Sequence, residues 1–216
     1  MVAQEDVSDI TRVMDNRTRD KILPLLDRLA NHHKPTYDHS IRVAYLARGL
    51  GEIQNRDPKA GIYAILHDIG KINTPIEILS KTEGFDEKDM AIIREHVVDG
   101  YTLLSEKGLF FSSWIALTHH RFQPRFYPSD VELANFQFPI IGANPSSRLL
   151  ADTWASIVSI ADAYDAAQHR RNEKFDGKIL PPEELKKWLL THNPSSQRII
   201  EVAYSQGIFS LEFPTA

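Results

Sequence analysis

The run Leu66-His67-Asp68-Ile69-Gly70-Lys71 sets a neutral nitrogen donor beside an anionic oxygen donor, with a fixed cation one turn further on. Such a pair can bind a divalent metal, and a neighbouring ammonium can neutralise an anion held there. One His-Asp pair arises easily by chance. Here histidines also stand at His39, His96, His119 and His120, and Asp162 closes the apolar run Ile157-Val158-Ser159-Ile160-Ala161. A carboxylate in such a run is costly to bury unless it is paired or bound to a metal. A lone histidine on an apolar helix face is ordinarily a hydrogen-bonded core residue. Five histidines and two aspartates at inward-facing positions point instead to one shared centre. Imidazole with carboxylate, and no thiolate, suits iron, manganese or zinc better than an all-oxygen calcium or magnesium cage. Seven donors exceed the four of a tetrahedral ion. They suit two ions sharing a bridging carboxylate, with positions left open for water. Two ions about 3.5–4 Å apart activate a water between them and clamp a phosphodiester for in-line attack, so no side-chain nucleophile is required.

The rest of the chain must carry these donors to one place. It has 216 residues, 42% of them hydrophobic and 25% charged, which suits one large soluble domain with a sizeable core. A net charge of −4 argues against a general binder of DNA or RNA duplexes or of membrane surfaces. A small phosphorylated ligand needs only a local basic pocket and stays open. The absence of cysteine removes disulfides, thiolate metal sites and a cysteine nucleophile, and is compatible with the cytoplasm. The acidic start MVAQEDVSDITRVMD does not resemble a signal peptide, and no apolar run is long enough to span a membrane.

Periodicity predicts helices throughout and no convincing alternating strand. Residues 1–35 form a helical extension. Within it Ile22, Leu25, Leu26 and Leu29 make one stripe from Asp20 to Ala30, with Pro24 in the first turn, and His32 to Tyr37 form a loop. The main domain, 36–216, opens with a helix over Asp38–Leu50, capped by Asp38, whose stripe His39, Val43, Leu46 and Leu50 carries the first histidine inward. A second helix starts at Asp57-Pro58, brings His67 and Asp68 to its inner face, and ends at Gly70. A third begins at Asp86, with Phe85 and Met90 as a hydrophobic staple, and runs past His96 to a glycine stop at Gly108. A fourth, capped by Ser112 or Ser113, ends at His119-His120. Residues 121–147 hold four of the twelve prolines and read as a long loop with at most a short helix. A fifth helix, Arg148–Ala167, carries Asp162, with Leu149 and Trp154 among its packing residues. Asp165, one turn on, reads as an exposed group or as one standing behind a ligand. His32, His33, His169 and His192 read as surface residues. Two further helices start at Pro181-Pro182 and Pro194.

His67-Asp68-Ile69-Gly70-Lys71, His96 with Gly100-Tyr101, His119-His120, Tyr127-Pro128 and Ile160-Ala161-Asp162-Ala163-Tyr164-Asp165-Ala166 occur in an order that resembles the HD-GYP branch of the HD-domain phosphohydrolases, over roughly residues 36 to 205. The resemblance implies an all-α bundle around a metal centre and hydrolysis of the bacterial second messenger cyclic di-GMP to pGpG or GMP. It places His39, His67, Asp68 and Asp162 around one iron or manganese ion. Asp68 would bridge to a second ion held by His96, His119 and His120, and Lys71 would lie near the scissile phosphate. Apart from the resemblance, Arg125, Arg148 and Arg170 are candidate phosphate contacts because guanidinium binds phosphate bidentately, and Tyr127 is a candidate substrate contact.

Three departures qualify this expectation. Members with a third metal carry a glutamate four residues before the first histidine, where this chain has Pro35, so a dinuclear site is expected. The run after the paired histidines, Arg121-Phe122-Gln123-Pro124-Arg125-Phe126-Tyr127-Pro128, keeps only Tyr-Pro of the family motif and has lost its glycines. The stretch from Pro128 to Asp162 is long for the family, and the run after the last motif is altered to His169-Arg170-Arg171-Asn172-Glu173. Two other outcomes stay open: an HD phosphohydrolase acting on another nucleotide or cyclic nucleotide, and a catalytically weak cyclic di-GMP receptor or interaction module. The 121–147 loop is the expected surface for a protein partner, and a homodimer is compatible with the chain.

Overall fold

The computed structural model describes residues 7–12, 14–55, 59–124, 126–138, 145–169 and 179–210. The expected helix start at Asp57-Pro58 lies outside them, as do Arg125 and Arg170. Among the described residues every regular element is helical. In chain order these are α1 (Ser8–Thr11), α2 (Asn16–His32), α3 (Lys34–Asn55), α4 (Lys59–Ala64), α5 (Ile76–Leu79), α6 (Glu87–Arg94), α7 (His96–Glu106), α8 (Phe110–Thr118), α9 (Asp130–Leu133), α10 (Pro145–His169), α11 (Pro182–His192) and α12 (Gln197–Ser205). Short 3-10 turns at Ile69–Asn73, His119–Phe122, Pro194–Ser196 and Ile208–Ser210 connect or finish them.

The stripe in α2 is as expected, but the helix starts earlier. Asp15 caps it by accepting from the Thr18 amide, so Pro24 falls in the helix interior rather than in the first turn. An interior proline costs about 3 kcal/mol. Burial of Ile22, Leu25, Leu26 and Leu29, each contributing roughly 1.5–3 kcal/mol, offsets it. The expected loop after α2 shrinks to His33, which has extended φ and ψ of −153° and 95°. Pro35 enters the first turn of α3, where a missing N–H does no harm. Asp38 is therefore not a cap; it pairs with Lys34 one turn back.

Helix α3 runs through the centre of the bundle. Val43, Leu46 and Leu50 are fully buried, and α4, α10 and α2 pack around it. Ala155, Ile157, Val158 and Ala161 of α10 belong to the same core, as do the α2 stripe and Leu185 and Leu189 of α11. Helix α10 begins at Pro145, ahead of the expected Arg148, and Leu149 is 68% exposed rather than packed. At its far end Tyr164 donates to the Phe209 carbonyl and stacks on the Phe209 ring, joining the last turn to α10.

The expected helix from Asp86 to Lys107 is two helices. Asp86 caps α6 in a reciprocal box with Asp89, but Phe85, Met90 and Ile92 are exposed, so the apolar stripe holds only after the break at Glu95. There the Ile93 carbonyl accepts from His96, and α7 then buries Val97 and Leu104. Gly108, at φ 68°, ends α7: its amide and that of Leu109 return to Ser105 and Leu104. Helix α8 starts at Phe110, ahead of Ser112 and Ser113, which are buried within it and do not cap it; Ser113 donates to the Phe110 carbonyl. Among the described residues of 123–138 there is one helical turn, α9, capped by Ser129.

Candidate metal centre

His39 and Asp162 come from the two longest helices, α3 and α10. His67 and Asp68 lie in the turn after α4, because that helix ends at Ala64, short of the expected Gly70. Gly70 has a different job. It sits in the 3-10 turn at 69–73, where a Cβ would come within 2.0 Å of the His96 carbonyl oxygen and 2.6 Å of the Gly100 amide nitrogen. Two backbones touch there, and the contact sets the spacing between Asp68 and His96. His96 opens α7, and His119 and His120 lie in the 3-10 turn that finishes α8.

These seven residues form two groups whose donor atoms lie within 4.8 Å of one another: Asp68, His96, His119 and His120, and His39, His67 and Asp162. Asp68 faces both. Its Oδ2 is 3.5 Å from His39 Nε2 and 3.5 Å from His67 Nε2, and its Oδ1 is 3.3 Å from His96 Nε2 and 4.0 Å from His119 Nε2. Between the groups His120 Nδ1 approaches Asp162 Oδ2 at 3.9 Å, and within the second His39 Nε2 lies 3.1 Å from Asp162 Oδ1.

The hydrogen bonds fix which nitrogen of each ring is available. A carbonyl oxygen only accepts, so a ring nitrogen bonded to one carries the proton. His67 Nδ1 bonds Ala64 O at 2.9 Å, His96 Nδ1 bonds Ile93 O, and His119 Nδ1 bonds Ala116 O at 3.0 Å. Each Nε2 then presents a lone pair to the site. Burial is the main reason that His67 and His96 are held down to about 3, and it lowers His119 and His120 too, so all four rings are neutral at pH 7. Burial alone would raise Asp68 and Asp162. The Lys71 ammonium and nearby imidazoles hold Asp68 well below the usual carboxylate range, and the His39 and His120 rings do the same for Asp162.

Neutral imidazoles thus aim lone pairs at a carboxylate that also offers only lone pairs. His67 Nε2, Asp68 Oδ1, His96 Nε2, His119 Nε2 and His120 Nδ1 are buried and have no hydrogen-bond partner. Left so, each costs free energy. Binding of divalent metal would satisfy them together, and neutral imidazole with carboxylate is a donor set that such an ion takes. The residues fit a divalent metal.

Lys71 is buried and donates to Asp68 Oδ2. Tyr127 stacks on the His120 ring at 4.4 Å, and the Arg94 guanidinium lies over the Tyr127 ring, 5.5 Å from its centroid. Arg148 is directed elsewhere. Its guanidinium lies 4.0 Å over Trp114 and pairs with Asp152, beside a cavity of about 240 Å³ lined also by Thr118, Arg121, Phe122 and Leu133. Three residues near the centre were not read from sequence. Arg42 is one; it grips Asp165, which is fully buried. Gln123 donates to Asp162 Oδ2 at 3.4 Å, and Arg94 is the third. Arg42 follows His39 by one turn, a spacing that could have suggested a supporting role; Gln123 and Arg94 carry no such signal.

The helical bundle gathers imidazoles and carboxylates from five elements into one buried cluster able to hold metal. The HD domain family model matches residues 36–167, more than half of the chain, and the chain belongs to that family. It is 28% identical to a cyclic di-GMP phosphodiesterase of Thermotoga maritima over 78% of this chain and 48% of that one. It is 29% identical to the 3'3'-cGAMP-specific phosphodiesterase 1 of Vibrio cholerae over 63% of this chain and 30% of that protein. The chain thus spans about half, or less, of the length of these relatives. Its fold matches the HD domain of the L. monocytogenes phosphodiesterase PgpH, solved alone and in complex with cyclic-di-AMP, each with a TM-score of 0.54. Identity to the unliganded domain is 22%, with 87% of this chain and 88% of that one covered.

Proposed function

We propose that this protein is a metal-dependent phosphodiesterase that opens cyclic dinucleotides, with cyclic di-GMP, cut to pGpG or GMP, as its substrate. The observation that carries this is Asp68, whose two oxygens face two separate ligand groups. That arrangement supports a pair of divalent ions, iron or manganese, rather than one. When bound, such a pair supplies an activated water and a clamp on the phosphate oxygens.

The chain's own residues do the rest. His39, His67 and Asp162 would hold one position and His96, His119 and His120 the other, with Asp68 facing both. Lys71, on the Asp68 carboxylate, places an ammonium where negative charge grows on the phosphoryl oxygens. The buried walls exclude bulk water, which strengthens that interaction. Tyr127, against His120, forms part of the rim that the substrate meets. Arg125 and Arg170 remain candidate phosphate contacts.

A second reading, a different cyclic dinucleotide, is favoured by the Arg121–Pro128 run, because loops shape the pocket. One assay separates them. Protein purified without chelator or oxygen is loaded with ferrous iron or manganese and given cyclic di-GMP, 3'3'-cGAMP, cyclic di-AMP and linear pGpG, with products resolved chromatographically. Fastest turnover of cyclic di-GMP supports the proposal. Fastest turnover of another cyclic dinucleotide moves the substrate assignment. Tight binding with no turnover at full metal occupancy makes the protein a receptor.

A further inference from the structure

Among the described histidines of the centre whose outward nitrogen is engaged, His39 is set apart. His67, His96 and His119 turn Nδ1 to backbone carbonyls, whereas His39 Nδ1 lies 2.7 Å from a carboxylate oxygen, Asp165 Oδ2. That carboxylate is fully buried and is held by the Arg42 fork, Nε to Oδ1 at 2.6 Å and a terminal nitrogen to Oδ2 at 2.9 Å. His169 Nδ1 adds a contact to Asp165 Oδ1 at 3.1 Å. Arg42 follows His39 by one turn of α3, and Asp165 follows Asp162 by one turn of α10. The two helices that supply these ligands thus also supply the pair behind them.

We infer that Asp165, clamped by Arg42, is a positioning residue that fixes the Nδ1–H form of His39 and strengthens its bond to the metal, so that the two metal positions are supported differently. A carboxylate accepting the Nδ1 proton holds the ring in one orientation and pushes electron density toward Nε2. A neutral carbonyl does the first more weakly and the second hardly at all. The bidentate guanidinium keeps the carboxylate from turning to the metal itself. The inference rests on the reading of His39 as a ligand, and it assigns Arg42 and Asp165 no contact with substrate.

The test uses Mn2+ as the probe and two variants. Asp165→Asn keeps the shape and one acceptor but removes the charge. The paired Arg42→Met, Asp165→Leu variant replaces the buried ion pair with apolar groups of similar size, a change that folds tolerate. Manganese stoichiometry and affinity are measured by chelator competition. The imidazole 15N spectrum of the chelator-treated protein reports the His39 tautomer, which a merely structural role would not move. Wild type is expected to bind two ions. In Asp165→Asn one of them weakens about 10–100-fold while the other is unchanged. In the paired variant that weakening is joined by loss of the Nδ1–H signature. Wild-type affinity at both positions in Asp165→Asn overturns the inference even if the paired variant fails to fold. An unchanged tautomer in a folded paired variant does so as well. Wild-type protein that takes up no manganese overturns the metal reading itself, and this inference with it.

Discussion

Asp68 turns one oxygen toward each ligand group, so a single substitution by alanine removes both approaches. Asp68→Ala is expected to lower the metal content of both positions and to reduce phosphodiester turnover to background, as measured by elemental analysis and product formation on one sample. Full turnover by a metal-free variant would sink the mechanism. Lys71→Met separates charge stabilisation from metal binding. It is expected to keep both ions yet lose about 10²-fold in turnover, the usual loss when one preorganised donor to a developing oxyanion is removed. A loss of metal in step with activity would reassign Lys71 to the site's assembly. At this scale the sequence was informative, because buried carboxylates and clustered imidazoles are unusual enough to stand out. It could not show that Nδ1 of His67, His96 and His119 meets carbonyls, because those partners are backbone atoms whose positions depend on where each helix ends.

The same helix ends decide what was missed at the level of elements. Gly70 reads as a helix stop by composition. Its function, a contact with the backbone of α7 at His96 and Gly100, depends on a neighbour distant in sequence. Gly70→Ala would push a methyl into main-chain atoms that cannot rotate away. It is expected to destabilise the fold by at least the 1–3 kcal/mol typical of overpacking, and to weaken metal binding by separating Asp68 from His96. Thermal melting and manganese titration of the variant check both. Asp86→Ala is the contrast. It removes the capping box of α6 and should cost about 1 kcal/mol of stability, yet leave metal affinity unchanged, because the exposed α6 face carries no ligand. A fall in affinity in Asp86→Ala would mean that α6 helps to place His96. The stripes of α2 and α3 were legible, since their burial follows from 3.6-residue periodicity alone. The break at His33 was legible too, as a loop drawn too long because Pro35 follows it; the break at Glu95 was not, because neither glycine nor proline marks it.

For the molecule as a whole, the buried rings make stability depend on pH. His67 and His96 are held near 3, against an ordinary 6.5 in an unfolded chain. Between those values the unfolded chain takes up protons that the folded one refuses, so stability falls as the pH drops below 6.5. Asp68, Asp162 and Asp165 act in the same sense further down. Their folded values lie below the ordinary 3.8, so their contribution is present above that pH and is lost on further acidification. Chelator-treated protein is therefore expected to melt at progressively lower temperature from pH 7 to pH 5, followed by circular dichroism. A flat profile over that range would mean that the rings are not buried neutral. The all-helical architecture was legible from sequence because each helix carries its own pattern. The way α3, α7, α8 and α10 meet was not, since no local pattern encodes which stripes face one another.

The bond between His39 and Asp165 joins residues 126 positions apart. Nothing local holds them together, so this part of the centre exists only once more than half of the chain's length has been brought together, and the unfolded chain has no equivalent site to offer an ion. Ions that bind only the closed state lower its free energy by mass action, about 2.7 kcal/mol at a concentration 100 times the dissociation constant. Proteases act on the open state. Metal scarcity would then shorten the lifetime of the polypeptide as well as silence it, so that the cellular amount of the protein tracks the supply of its ions.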